Sequence, residues 1–342
     1  MYLRFHPLVH TILLCITMLL QEPSPAHARH LLKLATLAPE GSIWVEHFRD
    51  FAEEVNEKTG GEVTIRIYPG GVMGDDLAMY RKIRAGQLQG GGFTMTGIAP
   101  VVPDFNIMAI PCYFDNYDQV DAAIARMRPF FSQKFAEKDL EFIALTEVGF
   151  AYAMSTEPTS SIEELRRRKS WIPTGDPLTA TFLKNLDVNP IPLSIPDVLS
   201  SLQTGLVDTV YVSLYGAIVM QWFTKARYVA DFPFGYAYGA VAFSSKAFSR
   251  LPEEYGAIIR EAAGSHFSAL NRETRRTNDE SRQVLKDNGV VFVEPQPATH
   301  ERLAATREKS IAELTGSAFS REAFALLSRT NEEDGQTDGD IQ

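Results

Sequence analysis

The chain has 342 residues, 45% of them hydrophobic and 22% charged, with a formal net charge of −10. That balance belongs to an ordinary globular protein of two-domain length, and the acidic surplus argues against nucleic acid as a partner. Its two cysteines are Cys15 and Cys112.

The first 28 residues, MYLRFHPLVHTILLCITMLLQEPSPAHA, carry Arg4 near the start, an apolar run from Leu8 to Leu20, and Ala26 and Ala28 on either side of His27. This is the pattern of a secretory signal peptide, and cleavage is expected after Ala28, with export of the mature chain. The apolar run is shorter than a bilayer-spanning helix needs. Cys15 leaves with it, so Cys112 has no internal disulfide partner and the fold has to rest on its core.

Residues 31–37, LLKLATL, read as a buried strand. A helix follows, with Ser42 as its N-cap and Trp44, Val45, Phe48, Phe51, Ala52 and Val55 on one apolar face. EVTIRIYPGG alternates Val63, Ile65 and Ile67 against polar residues, a strand closed by a turn. DDLAMYRKIRAGQLQGGGFTMTG is a helix and then a strand. Its glycines lack both the P-loop lysine and the dinucleotide-binding spacing, so they mark close backbone approach.

A helix from about Tyr117 to Lys138 leads to EFIALTEVG, which runs without a break into FAYAMST. The short helix SSIEELRRR ends in basic residues 166–169, a solvated face at a helix C-terminus. KSWIP is a strand, and the helix DPLTATFLKNLDV begins with Asp176 as N-cap and Pro177 in its first position. NPIPLS, IPDVLSSLQTGLVD and TVYVSLYGAIVMQWF continue the alternation. RYVADFPFGYAYGAVAFSS reads as one or two long strands crossing back, with Tyr236 and Tyr238 on one face or the other. A long helical segment, the strand VVFVEP and the acidic residues 331–342, expected to be disordered, complete the chain.

Alternating strands and helices predict an α/β fold with a largely parallel sheet. Without a linker rich in Gly, Ser or Pro, they predict two interleaved lobes with a ligand cleft between them. One lobe comprises residues 29–154 and 243–330, including a long helix that spans both lobes; the other comprises residues 155–242. His47, His266 and His300 are far apart, and no metal-ligand motif occurs. No G-x-S-x-G or nucleophile–base pair is present, so neither an enzyme nor a cofactor is expected.

Three stretches, LATLAPEGSIWVEHFRDFAEEVNEKTGGEVTIRIYPGGVMGDD, RAGQLQGGGFTMTG and LSIPDVLSSLQTGLVD, resemble the DctP-type solute-binding proteins of tripartite ATP-independent periplasmic (TRAP) transporters. The likeness runs from about residue 31 to residue 325. It implies a two-lobed protein that closes on a solute and delivers it to large and small permease subunits in the membrane, as a monomer or homodimer.

In that family the solute is usually a small organic acid, held by an arginine in a second-lobe strand of the form K-I-R-V-P. Here the stretch is Lys169-Ser170-Trp171-Ile172-Pro173, with Trp171 at the arginine position. An arginine frequent after G-F is replaced by Ala151, following Phe150. An asparagine frequent after T-G-V-V-D is replaced by Val212, or by Tyr211 or Ser213 if the alignment slips by one. A buried carboxylate without a partner costs several kcal/mol, on the order of the buried-ion penalty.

Trp171 then has three readings. It packs a core; or it walls an apolar pocket with Phe150, Tyr152, Tyr211, Tyr215, Trp222, Phe234 and Tyr236; or it forms a cation box with Glu147 or Asp176 as counter-charge. Asp176 also serves as a helix cap and Glu147 as a salt-bridge partner. All three replacements remove polarity and none adds a carboxylate, so an apolar or amphipathic solute is expected. The alternatives are a cationic amine, an ordinary organic acid, or a ligand-binding sensor or carrier without a permease.

Overall fold

The computed structural model describes residues 30–337, with side chains through residue 329; the expected signal peptide lies outside them. Three parallel strands, β1 (His30–Thr36), β2 (Val63–Tyr68) and β3 (Gly90–Thr94), are joined by helices α1 (Ile43–Lys58) and α2 (Asp76–Arg84). Ser42 caps α1 by accepting the Val45 N–H, as its place before the apolar face predicts. After α3 (Tyr117–Ala136) come β4 (Leu140–Ser155), β5 (Trp171–Pro173), α4 (Pro177–Asn185), β6 (Ile191–Leu193), α5 (Val198–Thr204), β7 (Thr209–Ser213) and α6 (Leu214–Val219). The chain ends with β8 (Tyr228–Ser244), α7 (Glu253–Asp287), β9 (Val291–Val293), α8 (Pro297–Leu314) and α9 (Arg321–Thr337).

The main sheet has the order β2-β1-β3-β8-β4-β7, with β9 beside β8. It is mixed rather than largely parallel, because β8 is antiparallel to both β3 and β4, and β4 is antiparallel to β7. The reason is connectivity. β4 carries the chain from one lobe to the other and β8 brings it back, so the two run in opposite directions. They pair along nearly their whole length, with register shifts on both sides of Phe150 and Gly149 at φ +98°. Such bulges bend a long ribbon and let each half face its own lobe.

Each lobe packs apolar layers on both faces of its sheet. In the first, Phe105, Phe131 and Phe135 lie on the α3 side and Phe48, Phe51 and Phe267 on the α1 side. In the second, Val198, Leu202 and Val210 share one cluster and Ile172, Phe182 and Leu183 the other. Helix α7 has 35 residues, which at 1.5 Å per residue is about 50 Å. Its Ile259 and Phe267 belong to the first lobe and its Leu285 to the second.

The chain beyond α7 departs from the expected boundary. Val290 and Leu303 pack in the second lobe because β9 extends the sheet beside the start of β8; Ile311 and Leu314 then return to the first. Helix α9 runs to Thr337, into the acidic segment expected to be disordered. No helix among the described residues is long and apolar enough to cross a membrane.

Candidate functional site

The C-terminal ends of β1 and β3 meet the second lobe around a chamber of about 150 Å³. Small residues of the central strands, Gly92, Ala237 and Gly239, line it together with Thr146 and Val148. Gly239 is required there: a Cβ would stand 2.4 Å from the Phe93 carbonyl oxygen and 3.1 Å from Thr146 Oγ1. Trp44 and Phe48 of α1 line the first-lobe side, and Trp171, Val212, Met220 and Trp222 the other. No Asp, Glu, Lys, Arg or His is among the described residues that line it.

Trp171 unites two of its three readings. The residue is 3% exposed and packs with Val198, Leu202 and Trp222, yet it also lines the chamber. Its indole N–H donates to the Leu193 carbonyl at 3.0 Å, and its ring meets Trp222 edge-on at 5.2 Å between centroids. Val212 and Ser213 line the chamber as well. Tyr211 also touches it, but its ring packs on Phe234 at 4.2 Å, and its hydroxyl is bonded to Ser170 Oγ at 3.2 Å.

Other expected wall residues lie elsewhere. Phe150 packs against Tyr117 and Tyr236, and Tyr236 stacks on Tyr238 in the core beneath α3. Tyr152 lies under the Arg282 guanidinium, and Phe234 is buried against Phe182. The physical reason is strand alternation: inward and outward positions exchange at each bulge of β4, so an aromatic-rich sequence does not itself reveal its face.

Glu147 and Asp176 do not line the chamber, and each is engaged by other groups. Glu147 is 2% exposed and receives two hydrogen bonds from Arg275, at 2.8 and 2.7 Å. Arg275 also pairs with Asp121 and lies over the Tyr117 ring. Burial holds the Glu147 carboxyl above its ordinary range in spite of that guanidinium. Asp176 caps α4 by accepting the Leu178 and Thr179 N–H groups, and burial raises its carboxyl too.

For an acid so raised, stability falls as pH rises from the unfolded value, about 3.8, through the folded one. Asp176→Asn keeps the capping oxygen and removes that loss. Urea unfolding should therefore find the variant at least as stable as the parent at pH 7, with less pH dependence. Lower stability at pH 7 would show that the charge itself is needed.

Tyr215 stands beside the chamber rather than in its wall. Its hydroxyl accepts the Ile43 N–H at 3.0 Å, and its ring lies 5.0 Å from that of Trp44, so the second lobe helps to cap the first helix of the first lobe. Tyr215→Phe removes only this bond, worth about 1 kcal/mol. Calorimetry should show solute binding weakened about fivefold; unchanged affinity would mean the bond does not support closure.

Sequence reasoning missed the first-lobe half of the chamber. Thr36, Gly92, Thr94, Thr96 and Thr146 line it, as does Trp44, whose spacing marks it only as an apolar helix position. The QGGGF run was the available signal, since close backbone approach leaves room for a ligand. Behind Thr94 lies Asp76, which accepts its N–H at 2.9 Å and its hydroxyl at 3.0 Å. Burial pushes this carboxyl up to about 7.

A chamber between two α/β lobes crossed by long strands is matched by a known family. Residues 34–316 fit the model of the bacterial extracellular solute-binding proteins, family 7 (DctP). The chain belongs to this family. A solute-binding protein of Roseobacter denitrificans is 23% identical over 307 residues, covering 87% of this chain and 93% of that one.

The fold is that of TRAP periplasmic solute-binding proteins. A Desulfovibrio salexigens protein solved with orotic acid superposes with a TM-score of 0.82 at 19% identity, over 90% of this chain and 99% of that one. A Xanthobacter autotrophicus protein solved with β-D-galacturonate gives 0.82 at 17%, over 88% and 99%. Family membership makes this a solute-binding protein.

Proposed function

We propose that this protein captures an uncharged, apolar or amphipathic solute between its lobes in the periplasm and hands it to the large and small subunits of a TRAP permease. The observation that carries this reading is the chamber's lining, which among the described residues holds three tryptophans and no Asp, Glu, Lys, Arg or His. An anion there would lose its hydration with no cation in the wall to replace it. Apolar contact offers the alternative source of affinity, about 25 cal/mol per Å² removed from water. The export signal expected in residues 1–28 supports the location, and the family supports the transport role.

The organic-acid reading has one observation in its favour: the two solved relatives hold orotic acid and galacturonate. Against it stands Trp171 in place of the arginine that the sequence resemblance leads one to expect. A thermal-shift series separates the two readings. Orotate and galacturonate at millimolar concentration should leave the melting midpoint unmoved. A rise of several degrees with either acid would overturn the proposal.

A further inference from the structure

We infer that the solute is a flat, neutral, one-ring aromatic molecule carrying an oxygen acceptor, of the phenol or aryl-amide kind, and that Trp222 and Thr146 read that oxygen. This rests on the chamber being the solute site. Size is the first argument: about 150 Å³ is also the volume of an apolar protein cavity known to bind benzene. Shape is the second. Gly92, Ala237 and Gly239 present backbone and at most a methyl group, while Trp44, Trp171 and Trp222 add aromatic surface, a setting suited to a planar ring.

The third argument comes from hydrogen bonds. The Trp44 indole N–H donates to the Glu147 carbonyl, that of Trp171 to the Leu193 carbonyl, and the Tyr238 hydroxyl to the Phe105 carbonyl. Tyr211 is bonded to Ser170, Thr94 to Asp76, and Ser213 Oγ accepts the Gly216 N–H. The Trp222 indole N–H and the Thr146 hydroxyl have no such partner among the described residues, and Trp222 is only 2% exposed. Neither atom is among the fully enclosed polar atoms without a partner, so both remain accessible and can bond a solute oxygen in place of water. The oxygen is neutral because no Lys, Arg or His is among the described residues that line the chamber.

Benzamide and benzoate have nearly the same shape and differ in charge, so calorimetry with both tests the inference. Benzamide should bind at least tenfold more tightly than benzoate. Thr146→Val, close to isosteric, should weaken benzamide about fivefold at an unchanged unliganded melting midpoint, and Trp222→Phe should weaken it similarly.

Equal or tighter binding of benzoate would overturn the inference, as would no binding of benzamide or an unaffected Thr146→Val variant. Ala237→Phe, which fills the chamber, separates the two levels of failure. If benzoate binds and this variant abolishes it, the chamber is the solute site and the solute class is wrong. If benzamide or benzoate binds equally well to the filled variant, the chamber is not the site.

Discussion

Arg275→Leu is expected to lower stability by about 3 to 5 kcal/mol at neutral pH, the penalty for leaving a buried charge without its partner. Glu147 is buried at the bulge of β4, and Arg275 supplies both of its side-chain ion-pair bonds. Glu147 also anchors neighbouring structure through its backbone. Its N–H donates to Asn271 Oδ1 at 2.8 Å, and its carbonyl accepts the Trp44 indole at 2.9 Å. Loss of the guanidinium therefore reaches a chamber-lining residue as well as the strand.

The pH dependence has a definite sign. Burial already raises the Glu147 carboxyl above its ordinary value of 4.5, and removing Arg275 takes away the main influence that lowers it. Stability is lost as pH rises from the unfolded value through the raised folded one. The variant's deficit relative to the parent should be largest near neutrality and shrink towards pH 4.5. Glu147→Gln combined with Arg275→Leu should recover most of the loss, since a neutral amide is far easier to bury. Urea unfolding at several pH values checks this; a deficit independent of pH, or no recovery in the double variant, would mean that lost packing dominates.

The second large effect concerns Trp171→Arg, which restores the residue type expected from the family resemblance. The guanidinium would enter a cluster containing Val198, Leu202 and Trp222 with no carboxylate among the chamber's lining residues. A fall of about 3 to 5 kcal/mol is expected in the unliganded protein, again the cost of an unpaired buried charge. Adding orotate should return part of that stability to the variant and none to the parent, because ligand binding adds to stability by mass action. A variant as stable as the parent, or one that orotate does not stabilise, would show that the position does not face an anion-sized space.

The sequence made some features legible because they depend on neighbours a few residues away. Asp176 before Pro177 was readable as a cap, and the Trp44 to Val55 face as a buried helix stripe. Trp171 was traceable to the chamber through the resemblance, not through its own context. Features that depend on distant pairing were not legible. Nothing local distinguishes β4 and β8 as antiparallel partners. Nor does anything local reveal that the bulges beside Phe150 turn it and Tyr236 towards α3 while Thr146 lines the chamber.

Glu147 shows the same limit in electrostatic form, since its partner lies 128 residues further along the chain. The first-lobe threonines escaped notice for a different reason. Short polar side chains at strand ends are common, and only their convergence in space distinguishes them.

The most direct test of the uncharged-solute account is mass spectrometry of small molecules released from protein purified without denaturation from its native cells. The expected result is a near-stoichiometric neutral molecule with an apolar ring or body. A stoichiometric dicarboxylate or sugar acid, retained through washing and lost in Ala237→Phe, would contradict it.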